Sequence, residues 1–162
     1  MKIWRTKLRG SEFKVTRFSE TPPSGDTLDT PESLVNYLRI RLAESVIYRP
    51  DVENLLVVHL STRRKAIGFE VISTGTLDTL LVHPREVFKS AIVTNASAIA
   101  VAHNHPSGDP CPSEADIKVT RDLIRAGQLL KIDLLDHVIL GQATPERPKA
   151  WASLRELGYF YT

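Results

Sequence analysis

Ala98-Ile-Ala-Val-Ala102 runs directly into His103-Asn104-His105-Pro106 and then, past a loop holding Gly108, Pro110 and Pro112, into Ser113-Glu-Ala-Asp116. The small and branched apolar residues read as a short buried strand. Ser113 with an acid three residues on opens a helix that the apolar spacing carries to about Ala126 and that Gly127 stops. Strand followed at once by helix sets an α/β class, and the flanks repeat the alternation. Upstream, Leu55–Leu60 and Ala66–Ser73 are β-rich runs joined by the polar turn Ser61–Lys65, a hairpin pattern. A loop, Gly75 to Asp78, leads to His83-Pro84 and a helix from Arg85 to about Asn95, with Val87, Phe88, Ala91 and Ile92 as its buried stripe. Earlier still, Thr30-Pro31-Glu32 reads as N-cap, first helical position and first-turn acid of a helix that buries Leu34, Leu38 and Leu42 and ends near Arg49-Pro50. Downstream, Leu129 to Leu140 holds one or two strands, and Ser153-Leu-Arg-Glu156 opens a short C-terminal helix. The expected architecture is an α/β single domain, a mixed β-sheet with helices on both faces.

A chain of 162 residues, 42% hydrophobic and 25% charged, fits one globular domain that buries roughly two thirds of its unfolded surface. No apolar stretch approaches the about 20 residues of a membrane span and the N-terminus has no apolar core of a signal peptide, so a soluble, cytoplasmic protein with no membrane partner is expected. The single cysteine, Cys111, excludes a disulfide framework and four-cysteine zinc, leaving His and carboxylates to hold any metal. Net charge is only +2, yet six bases (Lys2, Arg5, Lys7, Arg9, Lys14, Arg17) stand against Glu12 alone at the start, and Arg63-Arg64-Lys65 form a second cluster. Such clusters either pair with phosphates or are solvated ends that discourage aggregation. Because 20–26 is a Pro/Gly/Ser turn cluster, residues 1–26 read as a basic arm or edge strand and turn, and 27–162 as the domain, with its core at 53–141.

His103 and His105, two apart at a strand end, put their imidazoles on one face and form a two-point metal clamp. The sharp loop can bring Asp116 back beside them. Two imidazoles and a carboxylate leave a fourth tetrahedral position for water, as catalytic Zn2+ requires; zinc brings that water near neutral ionisation, and a general base must move its proton. The plainer reading is that Ser113-x-x-Asp116 is a capping box and the histidines are polar residues at a loop mouth. Cys111 is either a small loop residue or a thiolate for the open position. Asp136-His137 either supports a ligand from behind or is a polar break in a strand.

The stretch from His103 to Asp116 resembles the JAMM motif of the JAB/MPN metalloprotease superfamily. More closely, Glu53 to Gly141, with Val82-His-Pro-Arg-Glu-Val-Phe-Lys89, Ala102-His-Asn-His-Pro-Ser-Gly-Asp109 and Leu134-Leu-Asp-His-Val-Ile139, is similar to the RadC-like JAB domain. That resemblance implies a cytidine-deaminase-like JAB/MPN fold, zinc on His103, His105 and Asp116, Ser113 polarising the tetrahedral intermediate, and a catalytic glutamate on an early strand. Glu53, just before a buried strand, matches that glutamate; Glu70 and Glu86 are competitors. Longer RadC proteins carry a helix-hairpin-helix-like region, whereas here the basic arm and one helix precede the domain, the pattern of a short form.

The leading expectation is a zinc hydrolase acting on an amide or isopeptide bond of a peptide or protein. The alternative is a DNA-associated repair or mobile-element protein, nuclease or binding module, touching phosphates through Lys2, Arg5, Lys7, Arg9, Arg63, Arg64 and Lys65. A metal-stabilised interaction module is a third. Spacing removes look-alikes: HNH nucleases spread their residues over a ββα unit, zinc deaminases need His-x-Glu and Pro-Cys-x-x-Cys, and TIM-barrel hydrolases need about 250 residues.

Overall fold

Two strands, β3 (Asn54–Leu60) and β5 (Ala98–Asn104), lie side by side and antiparallel, and every residue of both is buried. Strands covered on both faces must be apolar on both, which is why they read as continuous runs. The computed structural model describes residues 2–8, 11–17, 27–43, 48–75 and 82–161. Beyond β3, β4 (Ala66–Thr74) closes the expected hairpin, and β2 (Ser11–Arg17) and β1 (Lys2–Leu8) extend that edge, all antiparallel. Beyond β5, β6 (Asp133–Leu140) is parallel to it and β7 (Trp151–Ser153) antiparallel to β6, giving the order β1-β2-β4-β3-β5-β6-β7. The β5–β6 pair, the one parallel pair among the described residues, needs a crossover, and α3 (Glu114–Leu130) supplies it.

The pleat divides the core in two. Leu56, Val58 and Leu60 of β3 and Ala98, Ala100 and Ala102 of β5 meet α1 (Pro31–Ala43). Leu55, Val57, Ile99 and Val101 face the other way, against Val87, Phe88 and Ala91 of α2 (Pro84–Val93) and Leu123 of α3. His103 continues the second series on β5 and leaves the sheet on the α3 side. No helix among the described residues is long and apolar enough to cross a membrane.

Several boundaries differ from expectation, each for a local reason. The α1 start is as read, with Thr30 Oγ1 accepting from the Ser33 N–H at 3.2 Å; the described helix runs to Ala43, residues 44–47 lie outside the described residues, and Tyr48 and Arg49 are no longer helical. On α2, Ser90 replaces Ile92 in the buried stripe, and Ile92 is exposed. α3 passes through Gly127 to Leu130, and Lys131, at φ 57°, is the residue that ends it. Gly127 is a packing glycine: a Cβ there would meet the Ile132 carbonyl oxygen at 2.5 Å. The expected C-terminal helix is absent from the described residues: Ser153 ends strand β7 and its hydroxyl accepts from the Glu156 N–H at 3.1 Å, but the turn so capped stops at Gly158, at φ 89°, and residues 154–160 form turns.

His59 lies beneath α2 with Nε2 2.8 Å from Ser90 Oγ. Burial pushes this imidazole down to about 4 from an ordinary 6.5, so it is neutral in the fold while the unfolded chain takes up a proton near pH 6.5. Its contribution is therefore intact above the unfolded value and lost as pH falls toward 4, by about 3 kcal/mol for a shift of this size. Denaturant melts at about pH 7 and about pH 4.5 should show a smaller acid loss in His59→Asn than in the natural chain; equal losses would assign the acid sensitivity to other groups.

Candidate metal centre

The β5 end and the α3 start meet where the sequence places its histidines. His103, the penultimate residue of β5 and almost fully buried, and His105, just past the strand, approach with their Nε2 atoms 3.0 Å apart. Asp116, at N3 of α3, places Oδ1 3.2 Å from His103 Nε2 and Oδ2 3.6 Å from His105 Nε2. Ligand atoms about 2.0–2.1 Å from a tetrahedral zinc stand about 3.3 Å from one another, and each of these three separations, the last two to different oxygens of Asp116, is near that value. Glu53 joins from the residue before β3, with Oε1 3.9 Å from His105 Nε2. Ligand atoms of Glu53, His103 and His105 all lie within 4.8 Å of one another and could hold a metal ion.

The hydrogen bonds behind the rings say what the front faces present. His105 Nδ1 is 2.6 Å from the Asp109 carbonyl oxygen; a carbonyl only accepts, so Nδ1 carries a proton. His103 Nδ1 meets Nε2 of the wholly buried His137 at 2.8 Å, and Nδ1 of His137 is 2.7 Å from Thr120 Oγ1. Burial pushes the His137 ring down to about 3, and it is neutral. In neutral His103 and His105 rings the two Nε2 atoms turn lone pairs toward each other, 3.0 Å apart, a contact that a cation or a proton between them relieves. Burial by itself would raise the Asp116 carboxyl, but its close approach to the His103 and His105 rings and the hydrogen bond from Ser113 hold it below the usual range. Contact with that carboxylate raises His105 against the opposing effect of burial. Two imidazole nitrogens and a carboxylate suit a zinc-type divalent cation.

Both readings of Ser113-x-x-Asp116 hold together. Ser113 caps α3, its Oγ accepting from the Asp116 N–H at 3.2 Å, and Asp116 Oδ2 accepts from the Ser113 N–H at 2.7 Å and from its hydroxyl at 2.6 Å. The cap uses Oδ2 and leaves Oδ1 toward His103. The Ser113 hydroxyl, expected to polarise an intermediate, is thus directed to Asp116.

Of the three candidate glutamates, only Glu53 joins the histidine group among the described residues. Glu70 pairs with Val57 and turns beneath α2, while Glu86 is tied to Lys89 on the α2 surface. The frame that fixes Glu53 is Asn104, the middle residue of His-x-His, which sequence reasoning missed. Its Oδ1 accepts from the Asn54 backbone N–H at 2.9 Å and from the Asn54 side chain, and its amide donates to the Val52 carbonyl at 2.9 Å. Strand alternation could have flagged Asn104 as a buried amide needing partners. Cys111 is exposed and stands outside the ligand group. Arg63, Arg64 and Lys65 occupy the β3–β4 turn, at the opposite end of β3 from Glu53, with Arg64 3.8 Å from Asp29; the side chains of Lys2, Arg5, Lys7 and Arg9 lie outside the described residues.

The loop carrying the Asp109 carbonyl is seated on Gly141, where a Cβ would come within 2.5 Å of the Gly108 carbonyl oxygen and 2.8 Å of Pro110 Cδ. Arg147 clamps it from above, donating to the Gly108 carbonyl at 2.8 Å and pairing with Asp109 at 3.2 Å. Gly141→Ala must push this loop away, and with it the group that orients His105. We expect zinc affinity to fall by about 10–100-fold, as for other outer partners of metal ligands, in a protein that still folds. Equilibrium dialysis checks it, and unchanged affinity would show that the loop does not position His105.

A mixed sheet covered on both faces, with imidazoles and carboxylates gathered at the end of central β5, defines an α/β domain of the JAB/MPN class. The RadC-like JAB domain matches residues 28–159, and the chain belongs to that family. It is similar to a UPF0758 protein of Caldanaerobacter subterraneus subsp. tengcongensis, 45% identical over 134 residues, which cover 83% of this chain and 53% of that protein. A UPF0758 protein of Symbiobacterium thermophilum is 40% identical over 142 residues, 88% of this chain and 56% of that one. A third, from Methanococcoides burtonii, is 47% identical over 107 residues, 66% and 44% of the two chains. The chain thus spans about half the length of the relatives it matches.

Proposed function

We propose that this protein is a zinc hydrolase that cleaves an amide or isopeptide bond of a peptide or protein. The supporting observation is the grouping of His103 Nε2 and His105 Nε2, 3.0 Å apart, with the Asp116 carboxylate, whose Oδ1 is 3.2 Å from His103 and Oδ2 3.6 Å from His105, beside Glu53 at 3.9 Å. Zinc held by His103, His105 and Asp116 would supply Lewis acidity and a water that ionises near neutral pH. Glu53, the carboxylate outside these three ligands, takes the proton of the attacking water and delivers it to the leaving amine. Ser113 turns its hydroxyl from Asp116 Oδ2 to the developing oxyanion, exchanging one charge-assisted hydrogen bond for another, while its N–H keeps hold of Asp116.

The test is amine release from isopeptide-linked and linear peptides by the zinc-loaded protein. Release that chelation abolishes and zinc restores is expected. Cleavage of DNA phosphodiesters without amine release would replace this reading with a nuclease, and neither activity would leave a binding module.

A further inference from the structure

We propose that Thr120 and His137 form a relay that fixes the proton of His103 on Nδ1, so that His103 Nε2 is always the bare, cation-directed nitrogen. The inference rests on the metal reading above and assigns a positioning role to two residues on α3 and β6 that reach the centre only through another side chain.

Each step follows from donor and acceptor inventory. The Thr120 hydroxyl has one proton, and the 2.6 Å contact to the Asp116 carbonyl oxygen consumes it, because that carbonyl can only accept. Toward His137 Nδ1, 2.7 Å away, Thr120 Oγ1 is therefore an acceptor and His137 Nδ1 bears the hydrogen. Nε2 of this neutral ring is then an acceptor, and across 2.8 Å it takes a hydrogen bond from His103 Nδ1. The proton of neutral His103 is held on the side away from His105 and Asp116. Thr120 and His137 are both buried, at 0% and 1% exposure, so no solvent offers another partner that would let either group reverse. The relay begins on the backbone carbonyl of Asp116 itself and thus also links the two proposed ligands donated by separate elements, α3 and β5.

A bulge makes the arrangement possible. Parallel pairing matches Ile99 with Leu134 but Val101 with His137, so β6 carries one more residue than β5 across this interval. Leu134 and His137, three apart, consequently share the α3 face, where an unbroken strand would send them to opposite faces. The inserted residue re-aims His137 behind His103.

The experiment compares the natural chain with Thr120→Val and Thr120→Ser. Zinc affinity is read by chelator competition, and imidazole tautomers by long-range nitrogen–proton NMR of the zinc-free protein. His103 and His137 are expected as Nδ1–H tautomers, zinc affinity should fall by about 10–100-fold in Thr120→Val, and Thr120→Ser should restore most of it. Unchanged affinity in Thr120→Val, failure of serine to rescue, or an Nε2–H tautomer of His137 in the natural chain would overturn the relay. If valine prevents folding, the tautomers of the natural chain decide alone. Failure of the natural chain to bind zinc would overturn the metal reading instead, while the tautomers would still judge the relay.

Discussion

Asp116→Ala is expected to cost the protein its metal. The substitution removes one of the three proposed ligands and leaves His103 Nε2 and His105 Nε2 3.0 Å apart with Glu53, 3.9 Å from His105 Nε2, as the remaining carboxylate. Loss of an outer partner lowers metal affinity by about 10–100-fold, and loss of a ligand should exceed that, so a protein purified with about one zinc per chain should retain essentially none after dialysis. The same change removes half of a capping box, worth about 1 kcal/mol to α3, and adds a fall in melting temperature even without zinc. His103→Ala should likewise lose zinc while keeping the cap. Elemental analysis of the three proteins checks this; zinc retained in Asp116→Ala but lost in Glu53→Gln would make Glu53 the third ligand and Asp116 a helix cap.

Glu53→Gln should separate binding from catalysis. The side chain keeps its size, and the Asn54–Asn104 frame that places its backbone is untouched. Zinc content should therefore stay near that of the natural chain while amide hydrolysis falls by the about 10²–10⁴-fold that a positioned acid–base group contributes. Glutamine can accept a hydrogen bond at this place but cannot carry the proton from water to leaving amine. Undiminished turnover would remove Glu53 from the reaction and point to another base.

Much of the centre was legible because its signals are local. His103 lies at the end of β5 with His105 two residues on, just past the strand, and Ser113 and Asp116 close a single helical turn, so short spacings bring each pair together. Where a local signal had two meanings, the sequence misled. Gly127 resembles a helix stop, yet it sits inside α3 because the Ile132 carbonyl needs the space of a Cβ. Ser153-x-x-Glu156 resembles a helix start, and the serine hydroxyl does accept from the Glu156 N–H, but the turn stops at Gly158, whose φ is 89°.

By itself, then, the sequence determined an α/β domain, the nearness of the two histidines and the cap that presents Asp116, since these depend on periodicities of two and 3.6 residues. Tertiary structure decided which glutamate reaches the histidines, because Glu53, Glu70 and Glu86 differ only in where antiparallel pairing and helix packing carry them. It also decided that His137 stands behind His103, since a one-residue bulge in β6 changes the face of every following side chain. Strand register is set by contacts between distant segments, and no local spacing encodes it.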